Sequence, residues 1–418
     1  MAASDYDNLL LSPDWYAKGE YADAFRDLRD NDPVHWTHDE AFGREYWTVT
    51  RYDDVRAALE NHTQLSNRWQ SRVPLKPRRH TPEERYEMGF DVSIPFLDEP
   101  LHSLYRRPLN KHFSVPSVGR LAKKIDELVD EVIANVAERG ECDIAEDVAK
   151  ELPMRVVFSL LGVPEEEWGN LVDAAGRMGA PSDPRWNIGD SLETFKLGMS
   201  QVAEYGLTLA RQRRADPQDD LVTAITRAEI DGDPLSDREV QWWIVNIIRA
   251  ATETTGSAAT YGLWLLLNHK DQAHRLVDDP SLSASAVEEC LRMTTPSRNR
   301  LRVANEHLTI GDKEISPGDW VVLFLYSANH DERAFDDPYR FDIGRTPNEH
   351  LSFSAGIHGC LGRNLARLEL RILFPKFLAA FPDVHVRPGF TPQYVRDTSS
   401  TGLRSLPVEF TPTRRGAA

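Results

Sequence analysis

The sequence feature that most constrains the fold is one long helical segment in the middle of the chain. It starts at Ser236 and Glu239, three residues apart as in a capping box, and continues without proline to about His269. At the rise of an α-helix, this segment would span roughly 48 Å. Its apolar residues lie nearly all round the helix, so we expect it to cross the interior of the protein.

The remaining pattern is mostly helical. Apolar residues at three- and four-residue spacing predict helices over 121–138 and 146–161, and alternation predicts strands over 45–50 and 320–326. Two segments, 67–100 and 179–187, are rich in Pro, Arg and aromatic residues and fit neither pattern; long loops of this kind are usually functional or disordered. We therefore expect a mostly α protein with a small β-rich lobe.

Charge and cysteine content narrow the class of protein. The 418 residues carry a formal net charge of −17, which disfavours nucleic acid and anionic membranes as partners. No apolar run has the length of a transmembrane helix, and the N-terminus lacks a signal-peptide pattern. Cys142, Cys290 and Cys360 lack the spacing of a disulfide framework or a zinc site. We expect a cytoplasmic protein without a membrane anchor.

One cysteine stands in a loop with specific chemistry. Cys360 lies between Gly359 and Gly362, and the run LGRNLARLELRIL predicts a helix that starts directly after it. Backbone N–H groups at a helix N-terminus favour a thiolate, and glycines let a flat, bulky group approach the backbone. A cysteine that ligates haem iron has these requirements, whereas a lone cysteine is otherwise more often buried and inert.

The full pattern F-x-x-G-x-H-x-C-x-G-x-x-L-A-R-x-E, from Phe353 to Glu369, resembles the haem-binding signature of the cytochrome P450 family. The resemblance extends from about His35 to Val408. It implies that family's mostly α fold as a single catalytic domain over residues 1–418, monomeric and without a fused reductase or ferredoxin. It also implies haem b as cofactor, Cys360 as the iron ligand, and insertion of one oxygen atom of dioxygen into a small organic substrate, with hydroxylation as the leading reaction.

The same resemblance assigns further contacts to the haem. These contacts are His102, Arg106, Ala251, Arg302, Phe353, Gly356, His358 and Gly362. The two histidines and two arginines of this set would clamp the haem propionates, because charge-assisted hydrogen bonds are strong. Ser354 and Ala251 depart from the family pattern, which usually has glycine at both positions.

Within the long helix, the run AATETT from Ala250 to Thr255 resembles the family's A-G-x-[DE]-T-T. Glu253 would relay protons from solvent, and Thr254 would hold the water that delivers them during oxygen activation. A hydroxyl in a helix can also bond the carbonyl four residues back and bend the helix. The alternative is an ordinary polar surface patch, since E-T-T occurs in many helices.

An E-x-x-R pair also matches the family. Glu289 and Arg292 are three residues apart, so they share one helix face and can form an ion pair. The resemblance implies that Arg340, in DPYRFD, is the third member of this buried structural network. A surface ion pair is the alternative for Glu289 and Arg292 taken alone.

The resemblance further implies that electrons come from NAD(P)H through a ferredoxin reductase and a ferredoxin. A basic cluster near the expected haem contacts could receive an acidic ferredoxin, and an ordinary mixed-charge surface is the alternative. The cluster consists of Arg106, Arg107, Lys111, Arg363, Arg367 and Arg371.

The candidate substrate contacts are Asn246, Arg249 and Arg298. Arg249 precedes Glu253 by one helical turn and should lie on nearly the same face. A buried guanidinium needs an anion, which a substrate carboxylate could supply, helped by Arg68, Arg72 or Arg298. Pairing with a nearby protein acid, or an outward orientation, is the simpler interpretation of Arg249.

Two other functions fit part of the pattern. A peroxide-driven haem-thiolate peroxygenase would share the cysteine loop, but such enzymes lack the acid–alcohol pair that Glu253 and Thr254 supply here. A haem-binding sensor without catalysis would share the haem contacts but would need neither a substrate cleft nor an electron donor. Monooxygenation therefore remains the leading prediction.

Overall fold

The computed structural model describes residues 3–73, 80–179 and 186–413. The α-helices of this part of the chain are α1 (Pro13–Lys18), α2 (Ala22–Asn31), α3 (Tyr52–Glu60), α4 (Pro82–Glu87), α5 (Leu101–Asn110), α6 (Val115–Gly119), α7 (Ala122–Ala137), α8 (Glu151–Leu161), α9 (Trp168–Gly179), α10 (Ser191–Ala215), α11 (Leu221–Thr226), α12 (Asp237–Asn268), α13 (Lys270–Asp278), α14 (Ser283–Thr294), α15 (Leu325–Asn329) and α16 (Arg363–Ala380). The strands are β1 (Val34–Asp39), β2 (Arg44–Val49), β3 (Leu65–Ser66), β4 (Glu141–Asp143), β5 (Glu229–Ile230), β6 (Asp233–Pro234), β7 (Asn299–Ala304), β8 (Leu308–Ile310), β9 (Lys313–Ile315), β10 (Trp320–Phe324), β11 (His385–Val386) and β12 (Pro407–Glu409).

The long central helix is present as predicted. Ser236 caps α12, with its side chain accepting from the N–H of Glu239 while the Glu239 side chain accepts from the N–H of Ser236. The helix then packs against α8, α10 and α14. Because neighbours cover it on several sides, its nearly continuous apolar surface is explained by burial, and a hydrophobic cluster of helices surrounds it. No helix in the described ranges is both long and apolar enough to cross a membrane.

Two predicted elements differ from the structure. The helix expected over 146–161 is divided into a π-helical segment, Ile144–Ala149, and α8. The change of register falls just before Pro153, which has no N–H to donate to a regular helical bond. The strand expected over 320–326 ends at Phe324, and α15 begins at the next residue, Leu325.

The two segments without a predicted element are partly described. Residues 67–100 include the short helix α4, which begins with a complete capping box at Thr81 and Glu84. Residues 74–79 and 180–185 lie outside the described residues. The described part of 67–100 runs towards α5 and contacts α12 through side chains discussed below.

A mixed sheet forms the β-rich lobe. Its strand order is β1-β2-β10-β7-β3, with β2 and β10 parallel and the other neighbours antiparallel. Every residue of β10 is buried. Val321 and Leu323 pack on the face that α3 covers, and Trp320, Val322 and Phe324 pack on the aromatic N-terminal segment. Because its side chains alternate between the two faces of the sheet, β10 contributes to both of these small hydrophobic cores. It also pairs with β7, the strand that carries site residues.

Candidate active site

The central helix carries the acid–alcohol pair on the wall of a cavity. Ala250 and Glu253 are exposed, although the same helix is buried at Ile248 and Ala258. Exposed residues in the middle of a covered helix indicate an internal cavity beside it. Thr254 Oγ1 donates to the carbonyl of Ala250 at 3.3 Å, so the hydroxyl bonds the carbonyl four residues back as the sequence predicts. Its oxygen lone pairs remain able to accept from water.

Two groups outside the helix hold the Glu253 carboxylate. Ser400 Oγ donates to Glu253 Oε1 at 3.0 Å, and Arg72 Nη1 lies 3.8 Å from Oε2. Ser400 is itself fixed, because its N–H and the N–H of Ser399 donate to Asp397 Oδ1 at 2.6 and 2.7 Å. The carboxylate is therefore oriented from both sides while 43% of its side chain stays exposed.

The loop before α16 presents Cys360 differently from the other cysteines. Cys360 is exposed, whereas Cys142 and Cys290 are buried. The N–H of Cys360 donates to the carbonyl of Phe353 at 2.8 Å, which closes the loop. Gly356 has a φ of 65°, and a Cβ there would lie 2.9 Å from the carbonyl oxygen of Leu59. This position therefore requires glycine.

Ser354, which stands where the family usually has glycine, keeps the loop conformation at a cost. Its φ is 62°, in the left-handed region. A residue with a Cβ is strained there by about 1–2 kcal/mol. Its Oγ is buried without a hydrogen-bond partner in the described part of the chain. Serine at this position therefore adds backbone strain and a buried, unpaired hydroxyl to the loop.

Some features of the surroundings of Cys360 raise the pKa of its thiol and others lower it. Although the Cys360 side chain is accessible at the surface of the site, the protein packed around it limits its solvation and raises the pKa of the thiol. The N–H of Gly362 and the guanidinium groups of Arg300 and Arg106 lower this pKa, as expected for a helix N-terminus, but the loss of solvation outweighs them. A bound metal cation would supply the missing stabilisation, because a coordinating thiol is deprotonated by the metal.

Four predicted propionate ligands lie close together. His102 of α5 and His358 of the loop have ring centroids 4.2 Å apart. Burial, followed by the charges of Arg302, His102 and Arg106, lowers the pKa of His358 to about 2. The other three side chains therefore all act on His358, although the four residues come from three separate elements.

The donors of this group fit the propionates of haem. His102 Nε2 and Arg302 Nη2 are buried and have no hydrogen-bond partner in the described part of the chain. A buried donor without a partner costs about 1–3 kcal/mol, more if charged. Two carboxylates would satisfy these donors, and the exposed Cys360 supplies the iron ligand. The residues present therefore fit haem b.

Arg300 is a site residue that the sequence analysis did not identify. It lies two residues before Arg302 on β7, so both side chains project from the same face of the strand. Burial lowers the pKa of Arg300 to about 9, with further lowering by Arg72 and Arg302 and an opposite effect of Cys360. The charges of Arg72, Arg302 and Cys360 therefore all act on Arg300. The alternation in NRLRVA was the signal that could have revealed it.

The three predicted substrate contacts have different surroundings. Burial lowers the pKa of Arg249 to about 10; Arg72 lowers it further and Glu253 raises it, so Arg249 lies near both. Asn246 Nδ2 donates to Ser93 Oγ at 2.7 Å and to the carbonyl of Trp242 at 2.6 Å. Asn246 therefore ties α12 to the segment before α5, and its amide nitrogen is committed to protein partners.

The prediction that Arg298 contacts substrate is wrong. Its Nη1 donates to the carbonyl of Asp397 at 2.8 Å, and its guanidinium carbon lies 3.7 Å from the centre of the Tyr16 ring. The side chain is 1% exposed. Arg298 precedes β7 and packs towards the aromatic N-terminal segment, where a cation–π contact and a carbonyl hold its guanidinium, although its Nε has no hydrogen-bond partner among the described residues. It supports the turn that carries Ser400.

The third member of the buried ion-pair network is Arg345, and the prediction of Arg340 is wrong. Glu289 and Arg292 form a bidentate pair with both N···O distances at 2.8 Å. Arg345 Nε lies 3.1 and 3.2 Å from the two oxygens of Glu289. Arg340 is exposed, and its carbonyl accepts from Arg345 Nη2 at 3.1 Å. The chain turns between the two arginines, which directs the later one inward.

Comparison with known proteins agrees with this arrangement. A profile of the Cytochrome P450 family matches residues 281–411. Steroid C26-monooxygenase of Mycobacterium bovis is 30% identical over 413 residues, 96% of this chain and 92% of that protein. The Mycolicibacterium smegmatis protein of that name is 33% identical over 408 residues, 96% of each chain.

Solved structures give the same result. CYP108D1 from Novosphingobium aromaticivorans superposes with a TM-score of 0.86 at 28% identity, covering 98% of this chain and 99% of that one. Mycobacterium marinum CYP268A2, in complex with pseudoionone, superposes with a TM-score of 0.85 at 30% identity, covering 94% and 95%. The mostly α fold with a small β-rich lobe is thus shared along nearly the whole chain.

A cysteine loop beside clamping donors, together with an acid–alcohol pair on the cavity wall, defines a haem-thiolate monooxygenase. The chain belongs to the cytochrome P450 family. It is an oxidoreductase that uses haem b, and the fold class predicted from the sequence is confirmed.

Proposed function

We propose that this protein hydroxylates a C–H bond of an apolar organic substrate, with Cys360 as iron ligand and Glu253 and Thr254 as the proton-delivery pair. The reaction converts R–H, dioxygen, two electrons and two protons into R–OH and water. The observation that carries the proposal is the acid–alcohol pair on the cavity wall, with Thr254 bonded back to Ala250 at 3.3 Å. The name steroid C26-monooxygenase, shared by the two relatives, supports hydroxylation of an unactivated C–H bond.

The haem would be held by the donors described above. Arg106 and Arg302 would neutralise the two propionates, while His102 and His358 would add hydrogen bonds. When bound, haem supplies the redox chemistry of oxygen activation, and a cysteine thiolate ligand favours O–O cleavage. Gly362 would leave room for the macrocycle beside the backbone, since a Cβ there would contact no other described atom.

Proton delivery would begin at Glu253. Its carboxylate is partly exposed, so it can exchange protons with solvent, and Ser400 and Arg72 hold its two oxygens in place. Thr254 would accept a hydrogen bond from the water that carries the proton onward, because its own hydrogen is donated to Ala250. The protein would thus move protons along fixed groups from solvent into the site.

Electrons would come from a ferredoxin, itself reduced by an NAD(P)H-dependent reductase. Of the predicted basic cluster, Arg107, Lys111 and Arg363 are exposed. Arg367 instead forms a bidentate pair with Glu288 at 2.7 and 2.8 Å, and Arg371 lies 3.9 Å from the same carboxylate. The three exposed cations support docking of an acidic ferredoxin on a molecule that is otherwise strongly acidic.

The test of the proposed function compares Thr254→Ala with Thr260→Ala. Thr260 makes the same type of back-bond, to Gly256 at 2.9 Å, but is buried. With ferredoxin, reductase and a substrate that shifts the spin state, Thr254→Ala should keep consuming oxygen while product per oxygen falls about tenfold or more and hydrogen peroxide accumulates. Thr260→Ala should stay coupled.

Unchanged coupling in Thr254→Ala would remove the proton-delivery assignment. Product formation that peroxide supports and ferredoxin does not would favour the peroxygenase alternative. Both outcomes are read from the ratio of product to oxygen consumed, with the haem content of each variant measured in the same samples.

A further inference from the structure

The aromatic ring of Phe353, the first residue of the cysteine-loop signature, has two polar side chains beside it. The guanidinium carbon of Arg367, on α16, lies 4.5 Å from the centre of this ring. The ring centre of His350, which precedes the loop, lies 6.0 Å from the same point. A guanidinium within about 6 Å of an aromatic face is attracted to it, so the contact with Arg367 restrains the Phe353 ring.

One carboxylate, Glu288 of α14, holds both of these polar side chains. Arg367 Nε and Nη2 donate to its two oxygens at 2.8 and 2.7 Å, and His350 Nε2 lies 3.2 Å from Oε2. His350 Nδ1 accepts from the N–H of Ser352 at 3.2 Å, so the ring proton is on Nε2, the nitrogen beside Glu288. We name Glu288, His350 and Arg367 the Phe353 brace.

The Phe353 brace is largely enclosed by the protein and keeps its charge. The side chains of Glu288 and Arg367 are 20% and 26% exposed, and that of His350 is 1% exposed. Burial raises the pKa of Glu288, but His350 and Arg367 more than offset this effect and lower the pKa to about 2. A bidentate pair between ionised groups has a fixed geometry, which distinguishes it from a single-contact pair on the surface.

Phe353 connects the brace to Cys360. Its carbonyl accepts from the N–H of Cys360 at 2.8 Å, and its ring packs against the hydrophobic cluster of helices. A shift of the Phe353 backbone would therefore also move the backbone of Cys360. The next residue, Ser354, has a φ of 62°, and such a strained conformation persists only where the surrounding structure holds it. The brace supplies such support at the residue before it.

We propose that Arg367 is a positioning residue for the iron ligand: Glu288 and His350 hold it, and it fixes Phe353 and thereby the loop of Cys360. This inference rests on the proposed function, in which Cys360 is that ligand. Groups behind a metal ligand orient it and limit the access of solvent to it. A loosened Phe353 would leave the Cys360 thiolate less well oriented and more open to protonation.

The test measures how fast the reduced carbon monoxide complex of the holoenzyme loses its thiolate-type Soret band. The measurement uses mild urea, at a concentration where tryptophan fluorescence shows an intact fold. Arg367→Gln and Glu288→Gln should each lose the band about tenfold faster than the unaltered protein. Arg371→Gln is the matched control, because Arg371 lies 3.9 Å from the same carboxylate but one helical turn further from the loop. Equal rates in all four proteins would overturn the positioning role.

The midpoint potential of the ferric–ferrous couple separates positioning from charge. Arg367→Gln leaves the charge of Glu288 less compensated, whereas Glu288→Gln does the same to Arg367. If charge alone acted on the iron, the two variants would shift the potential in opposite directions. A positioning role predicts shifts in the same direction, because both variants release Phe353. Opposite shifts would overturn it.

A double-mutant cycle tests the route through Phe353. In the Phe353→Leu protein the aromatic ring is absent, so Arg367→Gln should accelerate the loss of the Soret band no further. Additive effects of the two substitutions would overturn this route. A thiolate-type band that is missing from the unaltered protein would refute the proposed function itself. A normal band that all variants keep equally well would refute only the positioning role.

Discussion

The carboxylate of Glu289 is fully buried and is surrounded by donors. Arg292, Arg345 and Asn348 all donate to its oxygens, at distances from 2.8 to 3.2 Å. Removing one cation from a buried network is costly because the remaining charge is left undercompensated. The network therefore stabilises the junction between α14 and the segment that leads to the cysteine loop.

We predict that Arg345→Leu lowers the free energy of unfolding by about 2–4 kcal/mol, because it removes a cation from the buried Glu289. Arg340→Leu is the control, and its effect should stay within about 0.5 kcal/mol because the side chain is exposed. Urea denaturation of both holoproteins measures the difference. Equal effects of the two substitutions would contradict the assignment of Arg345.

Glu369, the last residue of the cysteine-loop signature, makes stability depend on pH. Burial raises the pKa of Glu369 from 4.5 to about 8. Between these values the folded state holds a proton that the unfolded state releases, so stability falls as pH rises through this window and levels off at either side. Glu369→Gln removes this dependence. Melting temperatures at several pH values from about 5 to 8 should diverge between the two proteins, and parallel curves would refute the raised pKa.

At the residue scale, the sequence predicted those roles whose partners are close along the chain. Cys360 and His358 lie in one loop, and Glu289 and Arg292 share one helix face. The predictions for Arg340 and Arg298 were wrong because each segment contains a second arginine nearby, and only the fold decides which of the two takes the predicted place. No local pattern distinguishes Arg345 from Arg340.

At the scale of elements, the turn over 397–401 determines how Glu253 is held. Asp397 binds the N–H groups of Ser399 and Ser400, and Arg298 donates to the Asp397 carbonyl from the other side. The turn therefore connects the β-rich lobe to the centre of α12. Ser400 is a positioning residue, since it acts through Glu253.

We predict that Ser400→Ala lowers product per oxygen about threefold to tenfold, because Glu253 loses a donor that orients it. The spectral affinity for substrate should not change, and Ser400→Thr should restore coupling because it keeps the hydroxyl. Ser399→Ala serves as the control, since the Ser399 hydroxyl bonds Asp397 rather than Glu253. The measurements are coupling and the solvent isotope effect on kcat. A change in affinity without a change in coupling would contradict the positioning role.

Elements were predictable where the pattern is long and local. The capping box and apolar surface of α12 fixed its start and its length to within a residue or two. The π-helical segment before α8 and the end of β10 at Phe324 were not predictable, because a proline and tertiary packing override periodicity there. The order of the five-stranded sheet depends on pairings between distant parts of the chain, which the sequence pattern does not contain.

At the scale of the whole molecule, charge is unevenly distributed. The chain has a formal net charge of −17, yet Arg107, Lys111 and Arg363 are exposed beside elements that hold the haem contacts. An acidic partner would be repelled by most of the surface and attracted here. Electron transfer should therefore be strongly dependent on ionic strength.

We predict that the double variant Arg107→Glu, Lys111→Glu lowers the rate of reduction by an acidic ferredoxin about tenfold at low salt. The difference from the unaltered protein should shrink as salt rises. Lys196→Glu is the control, because Lys196 is an exposed cation on α10. Stopped-flow reduction of the haem measures the rate. An equal effect of the control variant would show that net charge, not this face, governs docking.

The central claim is that Cys360 ligates the haem iron as a thiolate. The most direct measurement is the absorption spectrum of the reduced carbon monoxide complex of the unaltered protein, Cys360→His and Cys142→Ala. The account predicts the red-shifted Soret band of a thiolate ligand in the unaltered protein and in Cys142→Ala, and its loss in Cys360→His with haem still bound. A thiolate-type band that survives in Cys360→His would contradict the account.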